Sequence, residues 1–224
     1  MFTVKVCGIT SVEDALMVAE SGADAVGLNF FPKSPRYVQP ETARRISAAI
    51  ARRVVKVGVF VNASRREVCQ LFDQLRLDLI QLHGDEPPEF LAALGGRPVM
   101  RAFRVGSAGL GPTAEYLDHC RRLNCLPRMI LVDAWRAGQY GGTGKRANWS
   151  ALREYAVRLG SPPLVLAGGL TPANVARAIR TVRPHAVDAA SSLETSPGRK
   201  NGILVRQFVL AARQALRGIG LDSD

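Results

Sequence analysis

Apolar residues fall along this chain in short, near-continuous runs, each followed by turn residues and then by apolar positions at helical spacing. The runs are Val4–Val6, Ala25–Phe30, Val54–Val61, Leu77–Leu82, Pro98–Arg104, Met129–Val132, Leu164–Leu166 and Ala186–Val187 with its extension. Runs that do not alternate with polar residues predict parallel strands covered on both faces. Between them lie helical signals. Thr10-x-x-Glu13 reads as a capping box before Ala15, Leu16, Val18 and Ala19, with Gly22 as a stop. Ser64-x-x-Glu67 is a second box, before Val68, Leu71, Phe72 and Leu75. Thr171-Pro172 predicts a cap with proline at the first helical position, ahead of Val175, Ala178 and Ile179. Leu152, Tyr155, Ala156 and Leu159, ended by Gly160, form another stripe, and Val205, Phe208, Val209, Ala212 and Leu216 form the last.

Eight strand–helix units in 224 residues leave about 28 residues per unit. The repeat predicts one α/β domain over 1–224, a compact (β/α)8 TIM barrel with a frayed tail at its end. A doubly wound open sheet is the structural rival; the even repeat, and the lack of GxGxxG after the first run, argue against a dinucleotide-binding version. No linker interrupts the pattern. Gly138–Lys145 reads as a mobile loop between a strand and a helix.

With 47% apolar residues and 22% charged ones, the composition is that of a folded chain with one sizeable core. No apolar run approaches the roughly 18 residues that cross a bilayer. The start, Met-Phe-Thr-Val-Lys-Val-Cys, lacks the pattern of a secretory signal. Cys7, Cys69, Cys120 and Cys125 form no CxxC pair and no metal-ligand spacing with histidine, which disfavours a metal site or a disulfide framework and makes a reducing, cytoplasmic location the expectation. The net charge of +11 invites a nucleic-acid reading. Yet only five of the 30 cationic residues are lysines, and the arginines lie scattered in ones and twos with no aromatic interleaving. An arginine-biased surface, or a field that draws in small anions, accounts for them.

In such a barrel the chemistry gathers at the C-terminal strand ends. Cys7 ends the first run and reads either as a buried thiol or, ahead of a helix N-terminus, as a base or nucleophile. Asp133 ends the sixth run, where an unused carboxylate is costly and a raised pKa suits a general acid. His83 after the fourth run reads as an orienting partner or a catalyst, and Asp188 follows the eighth. Gly168-Gly169 and Ala190-Ser191-Ser192 follow strands seven and eight, where backbone N–H groups of this barrel grip phosphate. Gly141–Lys145 reads as a lid over the same group or as simple flexibility. Arg36, in the proline-flanked Pro32–Tyr37 loop, suits bidentate capture of a carboxylate or is an ordinary surface arginine.

Together the stretches Lys5–Thr10, Gly22–Gly27, Phe31–Tyr37, Val57–Asn62, Gln81–Gly84, Asp133 with Gly141–Lys145, Ala167–Leu170 and Val187-Asp188 make the chain resemble the phosphoribosylanthranilate isomerase family, barrel enzymes of tryptophan biosynthesis. The resemblance implies an Amadori rearrangement of N-(5-phosphoribosyl)anthranilate without cofactor or metal. Asp133 is implied as general acid and Cys7 as general base. Arg36 would hold the anthranilate carboxylate, with Asp188 by the anthranilate ring or amine and His83 also on the substrate. Gly142, Thr143, Gly144, Gly168, Gly169, Ser191 and Ser192 would hold the phosphate. The implied partner is a small anionic substrate, with neither nucleic acid nor membrane, and the chain is a monomer or a homodimer. One departure stands out. The family has serine where this chain has Ala190 and glycine where it has Ser192, so phosphate contact is expected to weaken if that glycine needed a positive φ. Two alternatives stay open: a histidine-pathway or bifunctional aminoaldose isomerase, which would carry a carboxylate where this chain has Cys7, and a non-catalytic anion-binding barrel.

Overall fold

The computed structural model of the chain describes residues 1–51, 53–104, 109–133, 152–153, 155 and 161–220. Eight parallel strands close into a barrel in chain order. They are β1 (Val4–Cys7), β2 (Ala25–Asn29), β3 (Val55–Phe60), β4 (Leu79–Leu82), β5 (Val99–Arg104), β6 (Met129–Asp133), β7 (Leu164–Ala167) and β8 (Ala186–Ala189). The seam is β1 on β8, with Lys5 opposite Asp188 and Val6 opposite Ala189. Each strand falls on one of the eight predicted runs, with its ends displaced by no more than a residue or two. The described residues form helices α1 (Val12–Glu20), α2 (Pro40–Ala49), α3 (Arg65–Gln74), α4 (Pro88–Ala92), α5 (Gly111–Arg122), α6 (Val175–Val182) and α7 (Gly202–Arg217). Leu152 and Tyr155 are helical and buried where the stripe before strand seven predicts a helix. Ala156, Leu159 and Gly160, and the expected C-terminal tail from residue 221, lie outside the described residues. No described helix is long and apolar enough to cross a membrane.

The runs are continuously apolar because the two faces of each strand enter two different cores. Outward residues such as Val6, Leu28, Ile80, Val132 and Leu166 pack under the helices. Inward residues such as Ala25, Val57, Leu79, Met100 and Val165 fill the barrel, with Phe2 at its N-terminal end. The α7 stripe is buried as its spacing predicts, and Asn201 caps the helix by accepting from the Ile203 and Leu204 N–H groups.

Two helix starts differ from expectation. Ser11, not Thr10, caps α1, its Oγ accepting from the Asp14 N–H at 3.1 Å. Thr10 Oγ1 is drawn away, donating to the Gly198 carbonyl at 2.6 Å. α6 begins at Val175, later than Thr171-Pro172 predicts, because Asn174 holds a preceding turn. Its Oδ1 accepts from the Thr171 N–H and its Nδ2 donates to the Gly169 carbonyl. The Ser64 cap on α3 is as predicted. An unpredicted antiparallel hairpin, β9 (Glu194–Ser196) and β10 (Arg199–Lys200), lies between β8 and α7.

The loop after β4 is held by a buried charge network. Arg101 on β5 donates to the carbonyls of Leu82, Gly84 and Ala102 and lies 3.4 Å from the Glu86 carboxylate. Its guanidinium also lies over the rings of Phe103 and Tyr116, which meet each other edge to face. Glu86 in turn accepts from the N–H groups of Asn62 and Gly84. Removing one partner leaves the other charge buried and uncompensated. Arg101→Met is therefore expected to cost about 3 kcal/mol, read as a drop in the urea unfolding midpoint; an unchanged midpoint contradicts this account of the loop.

Candidate active site

Side chains two residues apart on a strand share a face. On β1 this turns both Lys5 and Cys7 inward, and after β4 it puts Gln81 and His83 together. At the C-terminal ends of the strands Cys7, Gln81 and His83 meet in a cavity of about 580 Å³. Its lining includes Cys7, Arg36, His83, Asp133, Gly168, Gly169, Asp188, Ser191 and Ser192, every predicted site residue that the structure describes. Gly142, Thr143 and Gly144, with the rest of the predicted Gly138–Lys145 loop, lie outside the described residues.

Cys7 is seated by two glycines. A Cβ at Gly27 would stand 2.5 Å from its sulfur, so only glycine leaves room for the thiol. Gly8 adopts φ +78°, and a side chain there would meet the Arg36 stem at 2.6 Å. The expected helix N-terminus at Cys7 is not adjacent: Gly8 to Thr10 and the Ser11 cap intervene before α1. The electrostatics come instead from side chains. Burial pushes the Cys7 thiol up, while Lys5 and Lys200 pull it down and Asp188 adds to the rise. Asp133 ends β6 half-buried at the same mouth, in register with Arg104 on β5 and Ala167 on β7.

Beneath them Lys5 is wholly buried, its Nζ 3.0 Å from Asp188 Oδ2. Burial opposes its charge, but the Asp188 carboxylate and Cys7 outweigh that and hold Lys5 above the ordinary lysine value. Asp188 Oδ1 and Gln81 Oε1 are buried with no hydrogen-bond partner among the described residues. Both residues line the cavity, so these acceptors are open to a ligand's N–H or O–H groups. Gln81 Nε2 donates to His83 Nδ1 at 2.9 Å, which puts the imidazole proton on Nε2. Burial, then the cations Lys5, Arg104 and Arg101, depress His83 to about 4. It is a neutral hydrogen-bond donor at neutral pH.

Arg36 is not the free guanidinium that its loop suggests. Glu194 engages it bidentately, Oε1 accepting from Nε at 2.9 Å and Oε2 from Nη2 at 2.7 Å. Glu194 also accepts from Lys200 Nζ at 2.6 Å, and Lys200 donates to the Ala190 carbonyl at 3.2 Å. The Arg36 loop owes its shape to polar side chains as well as its prolines. Asn29 Nδ2 donates to Ser34 Oγ, which also accepts from the Arg36 N–H, and Asn29 Oδ1 accepts from the Phe31 N–H.

The loops after β7 and β8 are tied together by Ser192, whose hydroxyl donates to the Leu170 carbonyl. Ser191–Leu193 form one 3-10 turn, and Ser192 is not among the residues of positive φ. The glycine-to-serine departure therefore carries no backbone strain. Gly168 and Gly169 do adopt positive φ, +89° and +65°. A Cβ at Gly169 would meet no atom within 4 Å, so the backbone conformation rather than crowding calls for glycine there.

Lys5, Gln81, Glu194 and Lys200 were not singled out from the sequence. The first two carried a signal, standing two residues before a candidate at the end of the same strand or just past it. Glu194 and Lys200 are brought in by the hairpin, which no periodicity announces.

The His83 shift has a consequence for stability. Its ordinary value is 6.5, so between about pH 4 and 6.5 the unfolded chain holds a proton that the folded one excludes. Stability falls as pH drops through this window, by roughly 2 to 3 kcal/mol from this group. His83→Asn is expected to lose correspondingly less stability than the wild type between pH 7.5 and pH 4.5 in urea titrations. Parallel losses in the two proteins would refute it.

Comparison with known proteins agrees with this geometry. The family model of N-(5'phosphoribosyl)anthranilate (PRA) isomerase matches residues 4–211. The N-(5'-phosphoribosyl)anthranilate isomerase of Rubrobacter xylanophilus is 50% identical over 217 residues, covering 95% of this chain and 100% of that protein. The crystal structure of phosphoribosyl anthranilate isomerase from Thermotoga maritima superposes with a TM-score of 0.82 at 41% identity, over 96% of this chain and 100% of that one. A second solved isomerase, in complex with reduced 1-(o-carboxyphenylamino)-1-deoxyribulose 5-phosphate, gives a TM-score of 0.80 at 40% identity, over 96% and 100% of the two chains. A closed eight-stranded barrel with a thiol and a carboxylate at one mouth, matched by the family model over almost its whole length, belongs to the N-(5'-phosphoribosyl)anthranilate isomerase family.

Proposed function

We propose that this chain catalyses the Amadori rearrangement of N-(5-phosphoribosyl)anthranilate to 1-(2-carboxyphenylamino)-1-deoxyribulose 5-phosphate, the isomerisation of tryptophan biosynthesis, with Asp133 as general acid and Cys7 as general base. The observation that carries this reading is that Cys7, Asp133 and both phosphate loops line one cavity. Asp133 gives a proton to the ribose ring oxygen, the C1–O bond breaks, and the substrate nitrogen becomes an iminium. The Cys7 thiolate then removes the C2 proton. The electron pair of that C–H bond neutralises the iminium, giving an enaminol. Conversion to the ketone moves the C2 hydroxyl proton off and one onto C1, so no redox partner is needed. Each proton transfer by a positioned group contributes roughly 10²- to 10⁴-fold.

The other groups bind. Backbone N–H groups of Gly168-Gly169 and Ser191-Ser192 hold the phosphate. Arg36 presents the N–H groups that Glu194 leaves open to the anthranilate carboxylate, in an orientation that the bidentate pair has already set. Asp188 Oδ1 accepts from the substrate amine, and the His83 Nε2–H donates to a sugar hydroxyl. Gly142–Gly144 complete the phosphate site by family resemblance.

The test follows fluorescence loss from freshly made phosphoribosylanthranilate. Cys7→Ala and Asp133→Asn are each expected to lower kcat at least about 10³-fold with unchanged circular dichroism; full turnover in either removes its role. A histidine-pathway aminoaldose assayed in parallel is expected to be turned over poorly, if at all. Gly27→Ala, which pushes on the Cys7 sulfur without touching the phosphate loops, is expected to lower kcat about 10²-fold with little change in KM. A KM effect alone would argue that the sulfur's seat is unimportant.

A further inference from the structure

A lysine with no exposed surface is rare, because an ammonium out of water must be compensated. Lys5 is such a lysine, set among the apolar residues that fill the barrel. Its ion pair with Asp188 does not satisfy it. The 3.0 Å approach falls outside hydrogen-bond angles, and Nζ has no hydrogen-bond partner among the described residues. For stability alone, an apolar side chain of similar volume does as well in such a place. What distinguishes the position is its neighbour: Lys5 precedes Cys7 by two residues on β1, so its ammonium lies one layer below the sulfur on the same inner face.

Asp133 on β6 and the neutral His83 line the same cavity as Cys7. Among the described residues, the charged groups that act on Cys7 come from four elements. They are Lys5 on its own strand, Asp188 on β8, Lys200 on β10 and Arg36 on the loop after β2. Lys200 and Arg36 are both committed to Glu194 by short hydrogen bonds. Among the described residues that act on Cys7, Lys5 is the cation left with unspent N–H groups. We propose, resting on the acid–base reading above, that Lys5 is a positioning residue for the isomerisation, its buried ammonium being the counter-charge that lets the Cys7 sulfur act as a thiolate base. Asp188 shares that charge and so moderates it. Burial, with Asp188, leaves the thiol above its ordinary value, and Lys5 is the strongest of the groups that pull it back down.

The test reads Cys7 directly. Iodoacetamide labelling of the Cys7 peptide is followed by mass spectrometry as a function of pH, which separates it from Cys69, Cys120 and Cys125. Lys5→Met and Lys5→Gln are expected to raise the labelling midpoint by at least roughly one pH unit, a tenfold loss of thiolate at neutral pH. The basic limb of kcat/KM should move with it, with KM little changed. Asp188→Asn, which leaves the ammonium wholly to the sulfur, is expected to lower the midpoint. Losing that carboxylate also acts on the thiol directly, so Lys5→Arg, which keeps the charge in place, backs up the other two variants: its midpoint is expected to stay within about half a pH unit of the wild type, and a larger rise would overturn the proposal. A folded Lys5→Met or Lys5→Gln variant with an unmoved midpoint, a midpoint shift without a matching shift in the activity profile, or an Asp188→Asn midpoint that rises would each overturn the proposal. Labelling needs no substrate, so a wild-type protein that fails to isomerise phosphoribosylanthranilate removes the functional reading while the charge coupling is still measured.

Discussion

The Lys5–Asp188 ion pair lies across the seam where β1 closes on β8, and the rest of the site is arranged around it. A parallel barrel of eight strands has a dry interior, and charge placed there is tolerated only in compensated pairs. Here the pair stands at the boundary between the apolar filling below and the polar mouth above. It brings a cation beneath Cys7 and leaves Asp188 Oδ1 open. Strand closure and site electrostatics are thus one construction, because the register that sets Lys5 opposite Asp188 also sets the sulfur above them.

A second pattern sits at the rim. Glu194 is shared by Arg36 and Lys200, which come from the loop after β2 and from the hairpin after β8. The two cations hold the Glu194 carboxyl below its ordinary value, overcoming the burial that works the other way. Glu194 therefore stays ionised and keeps Arg36 in one orientation. A carboxylate ligand then meets an arginine whose rotamer freedom is already spent, at the cost of the N–H groups that Glu194 occupies. Arg36 is in this way joined to the loop after β8, since Lys200 also donates to the Ala190 carbonyl.

The strands were legible because both of their faces are buried, which writes an unbroken apolar run into the sequence. The strand-end residues Cys7, His83, Asp133 and Asp188 followed from the barrel rule. Lys5 had the right spacing, yet a lysine reads as a surface residue until the ion pair is seen. Arg36 could be placed but not described, because its partner Glu194 is 158 positions away along the chain. The α1 cap slipped by one residue for a similar reason. Thr10 and Ser11 are both competent caps, and the choice was made by the Gly198 carbonyl, which no local pattern reveals.

The departure at Ala190 and Ser192 shows how such a loop tolerates change. A phosphate gripped by backbone N–H groups is indifferent to the side chains that accompany them, provided the backbone keeps its shape. Ser192 occupies a 3-10 turn with ordinary φ, and its hydroxyl turns away to the Leu170 carbonyl. Serine here replaces the freedom of a glycine with a hydrogen bond between the loops after β7 and β8. Ala190 gives up a hydroxyl but keeps the carbonyl that Lys200 needs. On the proposed reading, the part of each residue that would meet the phosphate belongs to the main chain, which leaves the side chain free to vary.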